Sequence, residues 1–465
     1  MSTRLSRLVW CAALAGFAPG LHGQDLGHKA PAQNHPVILS GATLHPVSGA
    51  PVEDGWIAFE RGEITAMGSG APDVDTDGEP VMLDGEGLHV WPGLISPYSQ
   101  LGLTEIGAVR ATHDFGETGA ITPEVRAAVA VNPDSTLLPV TRSNGVLIAA
   151  VFPNANLSLS GAEPRGLIPG RAGVMRLDGW TWEDMAILPD AGLVVNFPMM
   201  RPVRAWWMEE REEDQEREIN RALGTLRQFF DDAGAYVAAR GAAQEQDESL
   251  PVDLRFEAMR GVLPGAAGAE SDGAQKPVFF RANEYDQIVG ALAFARERGL
   301  RPVIVGGRDS HLCLDLLKEA AAAVILESSF RFPKRDDSPF NDLYTRPIAL
   351  QEAGVPYTFL SGDDTAHERS LPYAAALAVA HGLSPDDALR ALTLTPAEIF
   401  GIDGEYGSLE PGKSATLIVT TGHPLEVLSN VELAFIDGRA IDLENKQTRL
   451  AAKYREKYRQ LGLVE

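Results

Sequence analysis

Eight short apolar runs alternate with helical segments through the middle of the chain, and strand-and-turn texture flanks them at both ends. Together these features predict an α/β protein: a (β/α)8 TIM barrel with a small β-sandwich domain built from both chain ends. Length agrees, because 465 residues are too many for one compact core and suit a large domain with a smaller partner. Hydrophobic residues at 45% and charged residues at 22% lie near the globular average, which excludes fibrous, disordered and multispanning classes.

At the N-terminus, Arg4 and Arg7 precede the apolar run Leu8 to Ala18, followed by the small residues Gly20 and Gly23. A basic flank, an apolar stretch too short to cross a bilayer and small residues read as a secretory signal over 1–23. That reading implies a periplasmic or secreted protein; an uncleaved anchor or a buried helix is the alternative. Cleavage would leave Cys313 as the single cysteine, so no intramolecular disulfide is expected. No later stretch is long and apolar enough to span a membrane.

Residues 35–90 carry short β-type runs (Val37 to Leu39, Trp56 to Phe59, Ile64 to Met67, Val81 to Leu83) punctuated by Arg61-Gly62 and Asp84-Gly85. The same texture returns over 404–442, where Asp437-Gly438 is a hairpin signal. Neither end has enough strands alone, so one composite sheet domain is expected. Residues 91–403 hold the eight barrel runs: Val90 to Ile95, Gly145 to Phe152, Gly173 to Leu177, Leu193 to Phe197, Val278 to Phe280, Val303 to Val305, Ala322 to Leu326 and Tyr357 to Leu360. An acidic helix is expected over Glu209 to Arg227, followed by a flexible Gly/Ala-rich connection. A final helix within 443–465 places Leu450, Tyr454, Tyr458 and Leu461 at helical spacing, which predicts docking on the body.

Three segments carry a family resemblance. Trp91-Pro-Gly-Leu-Ile-Ser-Pro-Tyr-Ser-Gln-Leu-Gly102 resembles the first barrel strand of the amidohydrolase superfamily, usually PGLID-x-H-x-H-x-G. Gly407-Ser-Leu-Glu-Pro-Gly-Lys-Ser-Ala-Thr-Leu-Ile-Val419 resembles its return into the small sheet domain, and Ala391 to Gly401 its segment after strand eight. Order and spacing agree from Val37 to Leu443, nearest the imidazolonepropionase-like and prolidase-like branch. The resemblance implies hydrolysis of amide or cyclic amide C–N bonds by one or two divalent metals, zinc being the family expectation.

The residues at the implied ligand positions differ from that pattern. Tyr98 and Gln100 stand at the H-x-H positions, Asn196 near the end of strand four and Arg281 where strand five would supply histidine. Strand six ends Gly306-Gly307, and Asp364 best matches the acid after strand eight. One carboxylate cannot hold a catalytic zinc, and Arg281 adds a fixed positive charge. No cofactor is therefore predicted. Arg281 is expected to pair with Asp364 across the mouth; an unpaired, solvent-exposed Arg281 is the alternative. His113, His311 and His367 fall in candidate loops one, six and eight and are binding candidates, although no pair has i, i+2 or i, i+4 spacing. The aromatic segments Asp178 to Asp184 and Trp206-Trp207 are either pocket-lining or loop packing. Asp73 to Asp84 resembles a calcium loop, but its strand-like flanks favour an acidic turn.

Three functions remain open on these residues: a metal-dependent amidohydrolase with a relocated site, a metal-free binding or scaffold protein, and metal-independent catalysis using Asp364 as base with Arg281 or Tyr98 polarising the substrate. A small-molecule ligand fits all but the scaffold reading. The net charge of −24 argues against a general nucleic-acid binder, and oligomerisation stays open.

Overall fold

The computed structural model describes residues 29–154, 166–203, 210–246, 249–265, 275–362 and 365–464. The segment read as a secretory signal, Trp206-Trp207 and Asp364 all lie outside the described residues.

Both chain ends contribute to one eight-stranded sheet. From the first end come β1 (Val37–Leu44), β2 (Val52–Glu60), β3 (Glu63–Ser69), β4 (Val81–Asp84) and β5 (His89–Pro92). The second end adds β14 (Leu417–Thr420), β15 (Val431–Ile436) and β16 (Arg439–Ala440). β14 pairs antiparallel with β5, which stitches the two ends together. Alternation buries Leu39, Leu44, Ile57, Phe59, Val90, Leu417 and Val419 in the core of this sheet.

β5 runs on through Pro92-Gly93 into the second sheet, whose order is β6 (Leu94–Ser99), β7 (Val146–Val151), β8 (Gly170–Arg176), β9 (Ala186–Asn196), β10 (Pro277–Ala282), β11 (Arg301–Gly306), β12 (Ala323–Leu326) and β13 (Tyr357–Phe359). All eight sequence runs become strands, and the last packs against the first, so the barrel is nearly closed. Its interior is filled by Ile95, Ile148, Ala150, Phe152, Val174, Val194, Phe279, Val303, Ile325 and Leu360, floored by Phe400 and Tyr406. It is a packed core rather than a pore.

One strand departs from the (β/α)8 expectation. β8 runs antiparallel to both β7 and β9, while the remaining neighbours pair in parallel. The cause is connection length. β9 begins at Ala186, well before its apolar run, so only nine residues, a single helical turn (Trp182–Met185) among them, separate it from β8. A parallel crossover needs a dozen or more residues, whereas an antiparallel return does not. The reversal carries the aromatic segment 178–184 to the end of the barrel opposite the mouth. There Asp178 accepts from Arg142 Nη1 at 2.9 Å, and Arg439 of β16 approaches it at 3.5 Å. The pocket-lining alternative for Trp180 and Trp182 is therefore corrected.

Two helices also differ from expectation. The acidic helix extends over Glu212–Glu245, well past Arg227, because the Ala-rich continuation is strongly helix-forming and Leu223, Leu226, Phe229, Phe230 and Ala233 bury one face. The last helix, Lys446–Gln460, buries none of its residues, so the expected docking on the body does not occur. It carries six basic residues against one acid, and its apolar stripe is narrow.

Candidate functional site

A cavity of about 470 Å³ opens at the C-terminal ends of the parallel strands. Side-chain parity builds it. In a strand, residues two apart share a face, so a polar residue two places beyond an interior apolar one points into the mouth. Phe152 is followed in this way by Asn154, Val194 by Asn196, Phe279 by Arg281 and Ile325 by Glu327. Tyr98, at the end of β6, completes the ring and stacks obliquely on Phe152 with centroids 4.7 Å apart.

Arg281 is the hub. Its Nη1 donates to Asn154 Oδ1 at 2.8 Å and Asn196 Oδ1 at 3.0 Å. Its Nη2 donates to Tyr98 Oη at 2.9 Å and to the Pro153 carbonyl at 2.7 Å. The guanidinium thereby ties together the ends of β6, β7, β9 and β10 through neutral acceptors. Only Nε is left without a described partner, and it is buried. Asp364, the partner expected from the sequence, lies outside the described residues.

Glu368 is the acid that sequence reasoning missed. It sits in the short helical turn Thr365–Ser370, is fully buried, and lines the mouth cavity. Its Oε2 accepts from Ser96 Oγ at 2.8 Å and Ser361 Oγ at 2.9 Å. Burial pushes its carboxyl up to about 7, against the pull of hydrogen bonds from Ser96, Ser361 and Ser99. No strand parity pointed to it, because it reaches the cavity from a loop.

Other polar groups in the cavity fall into two sets. Glu327 is held by Arg346 Nη1 at 2.7 Å and Arg308 Nη2 at 3.3 Å, so its charge is spoken for. Arg308 also pairs with Glu284 at 2.8 Å; burial would raise that carboxyl, but Lys334 and Arg308 hold it below the usual carboxylate range. By contrast, Gln100 Nε2 and Asn283 Oδ1 are buried with no described partner. With Arg281 Nε they give the mouth two donors and an acceptor of unmet hydrogen-bonding capacity.

Gly306 explains the absence of a side chain at the end of strand six. Its φ is +102°, and a Cβ there would stand 2.4 Å from Asn283 Oδ1. Any residue with a Cβ here would take a disfavoured positive φ and would have to displace the Asn283 carboxamide.

The loop histidines lie further out. His113 Nε2 reaches the Ile106 carbonyl at 3.2 Å and its ring packs near Phe115. His311 stands 4.0 Å from Asp342, and burial holds its imidazole below its ordinary value. Neither lines the cavity. His367 lines an adjoining depression with Phe330 and Ser370, which shares Ser328, Arg331 and Gly362 with the mouth. Among the described residues, no group of three His, Cys, Asp or Glu is arranged to hold a metal ion.

Residues 341–441 match the Amidohydrolase family. Amidohydrolase tasK of Hapsidospora irregularis is 24% identical over 443 residues, covering 87% of this chain and 43% of that protein. The chain thus spans less than half the length of that relative. Adenine deaminase 3 of Rhizobium meliloti (strain 1021) is 32% identical over 111 residues, 22% of this chain and 18% of that enzyme. Among solved structures, an amidohydrolase from Thermotoga maritima MSB8 superposes with a TM-score of 0.73 at 23% identity, covering 87% of this chain and 99% of that one. Molinate hydrolase superposes with a TM-score of 0.51 at 15% identity, covering 88% and 95%. The match over residues 341–441 and the shared barrel-and-sheet architecture agree: this chain has the fold of these amidohydrolases, and its C-terminal part is similar to their family in sequence.

Proposed function

We propose that the mouth hydrolyses a C–N bond of a small carbonyl compound without a divalent metal, with Glu368 as the proton-transfer group. The observation that carries this reading is the buried Glu368 carboxyl, held by Ser96 and Ser361 at the wall of the mouth cavity, where burial pushes it up to about 7. A carboxyl balanced near neutrality is suited to take a proton from water and return it to a leaving nitrogen. Gln100, Arg281 and Asn283 line the cavity, and a substrate carbonyl or amide N–H would meet the covered, unpaired Gln100 Nε2, Arg281 Nε and Asn283 Oδ1 only after a side-chain rotation that uncovers them. Tyr98, Asn154 and Asn196 position Arg281.

The donor set does not fit the family's metal. A tyrosine, a carboxamide and a guanidinium stand at the positions where the family supplies imidazoles, and strand six ends in Gly306, which supplies no ligand. A fixed guanidinium charge at the centre of the mouth also opposes a divalent cation.

The test is the pH profile of turnover on N-acyl amino acids, dipeptides and cyclic amides. The expected result is an inflection near pH 7 and a loss of about 100-fold in kcat for Glu368→Gln. Turnover that Glu368→Gln leaves intact would remove the proposal. A non-catalytic binding protein is the second reading, favoured by the serine hydroxyls that already occupy Glu368. Ligand binding with no turnover on any class would select it.

A further inference from the structure

The helix Lys446–Gln460 is a folded amphipathic surface that buries none of its residues. Leu450, Tyr454, Tyr458 and Leu461 recur at helical spacing and remain 40%, 47%, 43% and 60% exposed. Lys446, Arg449, Lys453 and Lys457 run along one edge of this stripe, and the Lys457 ammonium lies 5.8 Å and 5.9 Å from the Tyr454 and Tyr458 ring centroids. The helix is well formed despite its exposure: Asn445 caps it, accepting from the Gln447 and Thr448 backbone N–H groups, and Thr448 completes the capping box. Six basic residues against one acid in these 15 contrast with a whole-chain charge of −24.

The complementary surface lies in the same chain. The first turns of the helix Glu212–Glu245 expose Glu213 and Glu216 beside the partly exposed Glu218, while Asp214 is already paired with Arg211 and Arg217 of the same turns. Aromatic and basic side chains on one partner against carboxylates on the other are the composition of a protein interface with electrostatic steering. A lipid surface fits less well, because an anionic bilayer attractive to this helix would repel the acidic body that carries it.

We propose that the Lys446–Gln460 helix docks on the acidic first turns of the Glu212–Glu245 helix of a second copy of this chain. The exchange is reciprocal, so two such contacts close a two-fold dimer.

Sedimentation velocity on the full chain tests this across a concentration series up to about 100 µM at low salt and again at about 0.5 M salt. The expected result is a dimer whose dissociation constant rises at least tenfold with salt. Lys453→Glu with Lys457→Glu should give monomers, and adding Glu213→Lys with Glu216→Lys to that variant should restore the dimer. Monomeric protein throughout the series would overturn the proposal, as would a dimer that ignores the charge reversal or is not rescued. Capture of wild-type monomers by phosphatidylglycerol vesicles, without dimerisation, would assign the helix to lipid instead and equally overturn it.

Discussion

Glu368 and Arg281 carry the residue-scale account, and each makes a stability prediction independent of substrate. Glu368 has its carboxyl raised from 4.5 to about 7 by burial. The folded state therefore binds more protons than the unfolded state between those values, and stability falls as pH rises through that window. Glu368→Gln is expected to flatten this slope and to add up to about 3 kcal/mol above pH 7, read by urea unfolding at pH 5 and pH 8. An unchanged slope would mean that the carboxyl is not held neutral. Arg281→Met removes four hydrogen bonds that join four strand ends and leaves their acceptors unsatisfied. A loss of about 2–4 kcal/mol in unfolding free energy is expected. Parity along β10 makes Arg281 legible as a mouth residue from sequence, since it stands two places after the interior Phe279. Its partners were not legible, because Asn154, Asn196 and the Pro153 carbonyl converge from strands distant in sequence.

At the scale of elements, the reversed strand β8 and the seam between sheet and barrel matter most. β9 passes β10 closely at Gly192, where φ is +145° and a Cβ would stand 2.4 Å from the Pro277 carbonyl. Gly192→Ala is expected to cost about 2–4 kcal/mol in thermal or denaturant unfolding, and a neutral result would contradict the close approach. The seam is held by Trp91, which stacks on His45 at 3.5 Å between centroids and meets His423 edge-on at 4.9 Å. His45 Nε2 and His89 Nδ1 are hydrogen-bonded at 3.0 Å. Burial, reinforced by His89 and His423, lowers the His45 imidazole from 6.5 to about 4. The stability contributed by this neutral ring is present above pH 6.5 and is lost as pH falls toward 4. His45→Phe retains the stacking on Trp91 and is expected to lessen that acid-side loss, measured as Tm between pH 7 and pH 4.5. The seam histidines carried no sequence signal, because they meet only when β1, β5 and the turn after β14 assemble. Nor was the direction of β8 readable, since its connection looked long until β9 proved to start at Ala186.

Across the whole molecule, the barrel, the composite sheet and their junctions were legible because apolar periodicity and turn residues act locally. What stayed hidden depends on long-range arrangement. Glu368 reaches the cavity from a loop, and the helix Lys446–Gln460 stands clear of the body although its stripe predicted docking. The two outcomes share a cause, for burial is decided by what lies opposite, which spacing along one segment does not contain. On the proposed function, this amidohydrolase-fold mouth works through its own side chains. The most direct measurement determines bound metal by elemental analysis and turnover in chelator on one preparation, purified without chelator. Sub-stoichiometric metal and turnover unchanged by chelator are expected. Stoichiometric metal with activity that chelator abolishes and added zinc restores would contradict the proposed function.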